Sequence, residues 1–210
     1  MFHTETESMP QLAAYRTILF HKPDLVMCQF TDEEGRATLS DFISIPAIYP
    51  AGRLDYRSEG LLLLSNDGEL VHRLTDPRYA HPKTYLAQVE GLVEPAALER
   101  MNREILLPGL QTRLPVVSIS AAPDVPERER PVRDYHPTTW LQVVLVEGKK
   151  HEVRRLTAAA GYPTLRLVRT KIGSLSLSGL QPGAWRDLTE VENHLLRASL
   201  RLDRPTRRKS

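Results

Sequence analysis

Four consecutive leucines, Leu61–Leu64, narrow what this chain can fold into more than any other feature. A surface helix would interrupt such a run with polar residues, and a half-buried strand would alternate. The run is bounded by Gly60 on one side and Asn66-Asp67-Gly68 on the other, and it is too short for a helix of ordinary length. A strand buried on both faces is the reading that remains. The chain has 210 residues, of which 41% are hydrophobic, so it can build a core without disulfides or a structural metal.

Around that strand the sequence reads as mixed α/β with hairpin connections. Thr17–Phe20 and Val26–Phe30 are predicted as short strands about the turn at His21-Lys22-Pro23-Asp24, and 37–43 as a short helix. A helix over 69–74 ends at Asp76-Pro77; a strand follows over 83–90, a helix over 95–102 and a strand over 116–120. Residues 121–137 hold four prolines without apolar period and read as a long surface loop. Beyond it come a strand over 138–146, a helix over about 150–160, strands over 164–170, 173–177 and 185–188, and a last helix opened by Thr189 with Glu192 in capping-box spacing. Residues 1–16 are expected as a mobile arm and 203–210 as a basic tail, leaving 17–202 as one domain.

Composition excludes several functions. The single cysteine, Cys28, allows no internal disulfide and no Cys-rich zinc site, and its apolar surroundings predict a small buried hydrophobe. No apolar run approaches membrane-spanning length, and Met1–Pro10 has neither the basic nor the apolar region of a secretory signal, so the expectation is a reduced, cytoplasmic, soluble protein. Glycine-rich phosphate cradles, an HExxH pair and a GxSxG elbow are all missing from the sequence, so neither cofactor nor metal is expected. The net charge of +2 hides a segregation: residues 149–171 carry +6, residues 197–210 carry +5, and the rest carries −9. A polyanionic partner would account for two basic stretches on an acidic body; so would a solvated helix and a free tail.

The loop 51–60 is the candidate for chemistry. Two glycines bracket Arg53-Leu54-Asp55-Tyr56-Arg57-Ser58-Glu59 immediately before the buried strand. A carboxylate between two arginines tends to stay ionised, as a nucleophile or base must, although an Asp capping an ordinary turn has the same pattern.

The stretch AGRLDYRSEGLLLLSNDGEL (51–70) resembles the signature of pseudouridine synthases of the RsuA type, G-R-L-D followed by E-G-L-L-L-L and N-D-G. Lys22-Pro23, Lys83-Thr84-Tyr85, the segment Glu147–Leu156 and Gly183–Leu188 resemble the other motifs of that family in the same order, over about residues 17–190. The chain is most similar to the short branch that modifies large-subunit ribosomal RNA without an S4-type RNA-binding domain. One departure is Lys150-His151-Glu152, where the family has N-R-Q.

The resemblance implies an α+β pseudouridine synthase fold, a mixed, mostly antiparallel bent sheet flanked by helices. It implies that uridine in RNA is isomerised without cofactor: the N1–C1′ bond breaks, the base turns, and C5 bonds to C1′. Asp55 takes the position of the catalytic aspartate, by attack at C1′ or by proton removal that yields a glycal; the sequence leaves both open. Tyr85 takes that of the active-site tyrosine, stacking on an extruded base. Arg154 is chosen, by alignment with the family pattern, as the arginine that pairs with Asp55 and lowers its pKa. Arg53, Lys83, Arg155 and Leu167 are assigned to substrate binding: Arg155 to phosphate, Leu167 to the base pocket or simply the core, and Lys83 to strand support or the RNA backbone. The expected partner is ribosomal RNA, at a uridine in a stem or stem-loop, met by a monomer with neither membrane nor disulfide partner. Small-subunit or transfer RNA, or a non-catalytic RNA-binding assembly module, are the alternatives.

Overall fold

A computed structural model describes residues 15–103, 107, 113–132 and 135–202. The expected arm (apart from Tyr15 and Arg16) and the basic tail lie outside the described residues. Among the latter, nine strands form one mixed sheet: β1 (Thr17–Lys22), β2 (Tyr49–Pro50), β3 (Glu59–Ser65), β4 (Lys83–Glu90), β5 (Val116–Ser120), β6 (Thr138–Leu145), β7 (Thr164–Ile172), β8 (Leu175–Ser176) and β9 (Trp185–Asp187). The main path runs β5-β6-β4-β7-β3-β1-β9, with β2 on β3 and β8 on β7. Every pairing is antiparallel except β3 with β7, which are parallel and meet only at Glu59↔Val168 and Gly60↔Arg169.

The leucine run does what its composition requires. All seven residues of β3 are buried. Leu62 and Leu64 enter a core with α2 (Pro95–Arg103) and α3 (Glu152–Ala159), while Leu61 and Leu63 enter a second core with α1 (Gly68–Thr75) and α4 (Glu190–Ser199). Period-two alternation therefore divides one strand between two cores, and each leucine withdrawn from water is worth about 2 kcal/mol.

The helices carry the caps their sequences announce. Asp67 accepts from the amides of Glu69 and Leu70 at the start of α1, and its other carboxylate oxygen receives Arg197 at 2.6 Å. Thr189 and Glu192 close a capping box on α4.

The predicted strand over Val26–Phe30 does not form. Those residues are irregular backbone: Leu25 donates to the Tyr56 carbonyl, Met27 to Ala37, and Leu39 to Gln29. Apolar composition bought burial there, with Val26 and Cys28 both inside, but no strand partner was free to receive a ladder. Similarly, the helix expected over 37–43 is one 3-10 turn, Leu39–Asp41, with Asp41 reaching back to the Thr38 amide. The long loop is present, and Arg166 fastens it to the sheet through the Pro126 carbonyl at 2.7 Å.

Candidate active site

The loop 51–58 leads from β2 into β3 and is fixed from below by backbone bonds. Ala51 donates to the Leu63 carbonyl, Ser58 to the Asp55 carbonyl, and the Leu54 side chain is buried. Beneath it lies Lys22, fully buried, whose Nζ donates to the carbonyls of Pro23 (2.9 Å), Ser58 (2.9 Å) and Tyr56 (3.4 Å). Burial pulls the Lys22 amine down to about 8. Glu59, the first residue of β3, is held bidentately by Arg166 at 3.0 and 2.8 Å. Such fork-to-carboxylate pairing fixes geometry in both directions. Asp55 is thus carried on a loop with little freedom, yet its side chain keeps 36% exposure.

A cleft of about 680 Å³ opens beside this carboxylate. Asp55, Arg53 and Tyr56 line one wall; Tyr85, Lys83, Leu167 and Arg169 come from β4 and β7; Lys149, Lys150, His151 and Glu152 come from the turn leading into α3. The volume suits one nucleotide turned out of its stack. Four of the residues expected at the site, Asp55, Tyr85, Lys83 and Leu167, therefore meet in one cavity, with exposed Arg53 at its rim.

The arginines behave differently from expectation. Arg154 makes no hydrogen bond or ion pair with Asp55. Its Nη2 donates to the Arg57 carbonyl at 2.9 Å and its Nη1 to the Thr164 carbonyl at 3.2 Å, so it ties the catalytic loop to the start of β7. The Asp55 charge still reaches it, as the largest influence opposing the lowering of its pKa by burial. Neither Arg154 nor the half-buried Arg155 lines the cleft. The loop carbonyl of Arg57 offers a nearer acceptor than the carboxylate, and Arg154 takes it.

Two other nitrogen-bearing side chains, His151 from the departure noted in the sequence and Arg169, which the sequence did not assign to the site, line the cleft instead. His151 Nε2 lies 3.5 Å from Asp55 Oδ1, at ion-pair distance. It is the N-cap of α3 and has φ +54°, a left-handed conformation that costs a non-glycine residue about 1–2 kcal/mol. Arg169 is 2% exposed; its Nε donates to the Leu61 carbonyl at 2.8 Å, and its Nη2 has no hydrogen-bond partner. A lone arginine in an internal strand carries no signal of its own; only the register of β7 brings it under the cleft.

The departure at Glu152 has a physical account. Its Oε2 accepts from the Lys149 amide at 3.0 Å, while Oε1 finds no N–H or hydroxyl donor. The neighbouring group is the buried Glu147 carboxyl, which also accepts from the Arg113 amide and meets Lys149 at 3.3 Å. Burial, chiefly, and the neighbouring Glu147 carboxyl push Glu152 up to about 7. When protonated, Glu152 offers a donor as well as an acceptor, as a glutamine does, but one donor rather than two.

No group of three or more His, Cys, Asp or Glu side chains among the described residues is placed to hold a metal ion. No described helix is long and apolar enough to cross a membrane.

A half-exposed carboxylate facing an aromatic side chain across a nucleotide-sized cleft, with cations beneath and at the rim, defines a class of protein that works on an extruded base. Comparison with known proteins makes the class specific. Residues 16–159 match the RNA pseudouridylate synthase family, and the chain belongs to it. It is 47% identical over 180 residues to a ribosomal large subunit pseudouridine synthase E from Vibrio vulnificus, covering 85% of this chain and 77% of that one. Over 174 residues it is 48% identical to the protein of the same description from Xanthomonas campestris pv. campestris, covering 80% and 93%. A crystal structure of a pseudouridylate synthase superposes with a TM-score of 0.72 at 29% identity, over 87% of this chain and 74% of that one.

Proposed function

We propose that this enzyme converts one uridine of large-subunit ribosomal RNA to pseudouridine, acting as a cytoplasmic monomer on a uridine in a stem or stem-loop. The observation that carries the reading is the position of Asp55: ionisable, half-exposed and rigidly mounted, in the same cleft as Tyr85. The large-subunit target is supported by the relatives at 47% and 48% identity.

In this reading Asp55 meets the sugar of the extruded nucleotide, as nucleophile at C1′ or as base at C2′. Tyr85 offers its ring to the uracil face, a contact of about 1–3 kcal/mol per stacked base. Leu167 completes the apolar side of the pocket. Arg154 acts through the loop, holding the Arg57 carbonyl and with it the height of Asp55. Arg53 at the rim and Arg155 on α3 meet flanking phosphates, where each contact adds to the salt dependence of binding.

The test is Asp55→Asn with ribosomal RNA tritiated at uracil C5, taken from cells lacking the protein. The wild-type enzyme releases tritium, because the isomerisation must lose that hydrogen; the variant binds the RNA equally well and releases none. Measurable turnover by Asp55→Asn would remove the aspartate from its role. Pseudouridine mapping in the same RNA identifies the site, and a missing modification in small-subunit or transfer RNA instead would overturn the target. Binding without tritium release by the wild type would favour a non-catalytic assembly module.

A further inference from the structure

Lys83 and Arg169 put two cations under the cleft with little to neutralise them. Arg169 Nη2 is unpartnered in a residue that is 2% exposed. An ionised donor buried without an acceptor is costly, and in a native fold it calls for a ligand or solvent. Lys83 donates only to the carbonyl of His81, two residues away, at 3.2 Å. The carboxyl whose charge acts on Lys83 is Glu152, which burial holds up at about 7, so near neutrality it offers reduced countercharge. The result is a preorganised site for negative charge.

Strand register says which part of a nucleotide reaches it. Tyr85 on β4 is paired directly with Arg169 on the antiparallel strand β7, so the two side chains leave the same face of the sheet. Lys83 lies two residues before Tyr85, and Leu167 two residues before Arg169; all four line the cleft. The ladder skips Thr170, a bulge immediately beside Arg169, the kind of irregularity that re-aims a neighbouring side chain. A base resting on Tyr85 would therefore have these two cations as neighbours within the same cleft. Phosphates are tied to the strand outside, and the cations exposed at the cleft rim, Arg53 and Lys150, serve them.

We propose that Arg169 and Lys83 form an anion site that receives the carbonyl oxygens of the uracil ring as it leaves C1′ with the glycosidic electron pair. The inference rests on the uridine-isomerising reading above and deepens it. When the N1–C1′ bond breaks, its electron pair stays on N1 and is delocalised onto O2 and O4, while the sugar is taken up through Asp55. After the base turns, C5 bonds to C1′, the C5 proton is lost and N1 gains one, so the sum is an isomerisation. The two cations are not consumed; they stabilise charge that exists only between these events, which is where fixed donors accelerate a reaction most.

The experiment is single-turnover tritium release at saturating enzyme, with RNA affinity measured separately, for Lys83→Met, Arg169→Met and Lys83→Arg. The substrate is C5-tritiated ribosomal RNA from cells lacking the protein. Arg169→Met is expected to lose about 100-fold or more in the saturated rate and Lys83→Met about 10-fold, with RNA affinity within about twofold of wild type. Arg169→Met also forfeits the bond to the Leu61 carbonyl, so Lys83→Met, which breaks no long-range bond, keeps the inference falsifiable if the arginine variant unfolds.

Burial, chiefly, and the Arg169 charge hold the Lys83 amine at about 8 against the opposing pull of Glu152. Cys28, Arg53, Asp55, Tyr56, Tyr85, Lys149, Lys150 and His151 are the other ionisable groups lining this cleft, with Glu147 beside Lys149. The saturated wild-type rate should therefore fall between pH 8 and 9, and Lys83→Arg should remove that fall. Weakened affinity with an intact saturated rate would make the pair a phosphate contact and overturn the proposal, as would variants indistinguishable from wild type. No tritium release by the wild type would refute the isomerase reading itself, a failure distinct from either.

Discussion

Gly60→Ala is the substitution whose cost can be worked most directly from the structure. Gly60 has φ +104° and lies where β3 meets β7; a Cβ there would stand 2.3 Å from the Arg169 carbonyl oxygen, 2.8 Å from its nitrogen and 3.0 Å from its carbonyl carbon. A carbon–oxygen contact needs about 3.3 Å, so the strands must part by roughly 1 Å. Three terms set the magnitude. Holding a non-glycine residue at that φ costs about 1–3 kcal/mol. Forcing apart packed backbone costs about 1–3 kcal/mol. Loss of glycine's freedom in the unfolded chain returns about 0.4–1 kcal/mol. The net loss is about 1–6 kcal/mol, a large part of a typical stability of about 5–15. Urea unfolding followed by fluorescence of Trp140 and Trp185 measures it, and the melting midpoint should drop on the order of 10 °C. The same displacement moves Arg169 away from the cleft and Asp55 away from Tyr85, so turnover must fall even where the variant is fully folded. A loss below about 1 kcal/mol, or full activity in the folded variant, would refute the claim that this approach sets both the sheet and the site.

Two further outcomes follow from the site. The folded-state pKa of Glu152 is raised, so the native protein binds more protons than the unfolded chain between pH 4.5 and about 7, and stability falls as pH rises through that window. Glu152→Gln should therefore match wild type below pH 4.5 and exceed it at pH 8 in a urea titration; a variant less stable at pH 8 contradicts the raised Glu152 pKa. His151→Gly removes an imidazole at 3.5 Å from Asp55 together with the left-handed strain. Its melting midpoint should rise by about 2–4 °C, while turnover falls no more than about fivefold, the scale of one exposed polar contact; a lowered midpoint would show that the imidazole holds the turn.

What could be read without coordinates was what depends on local pattern. Leu61–Leu64 announced a strand buried on both faces because four apolar residues in register leave no side for water. Thr189 and Glu192 announced a helix start because their spacing is itself the geometry of the cap. Val26–Phe30 was misread because apolar composition reports burial, and burial does not require a ladder. Asp55 and Tyr85, named through motif, do line one cleft, but Arg154 was expected on the carboxylate and is found on a loop carbonyl, a choice made by competing acceptors that spacing cannot rank. The +6 stretch was only partly a surface property: Arg166 points inward to Glu59, Lys149 meets buried Glu147, and Arg169 is enclosed. Register across strands far apart in sequence decided where Arg166 and Arg169 point, and it lies beyond any local window, whereas Lys149 meets Glu147 within a single turn.

The parallel contact between β3 and β7 spans two residue pairs and, among the described residues, is the only place where the two halves of the main sheet path touch by strand pairing. Asp55 travels with β3; Tyr85 and Lys83 travel with β4, on the far side of that join. Either half alone would hold a carboxylate without a platform, or a platform without a carboxylate. The cleft that joins Asp55 to Tyr85 therefore exists only once both halves have met, at a seam two residues wide.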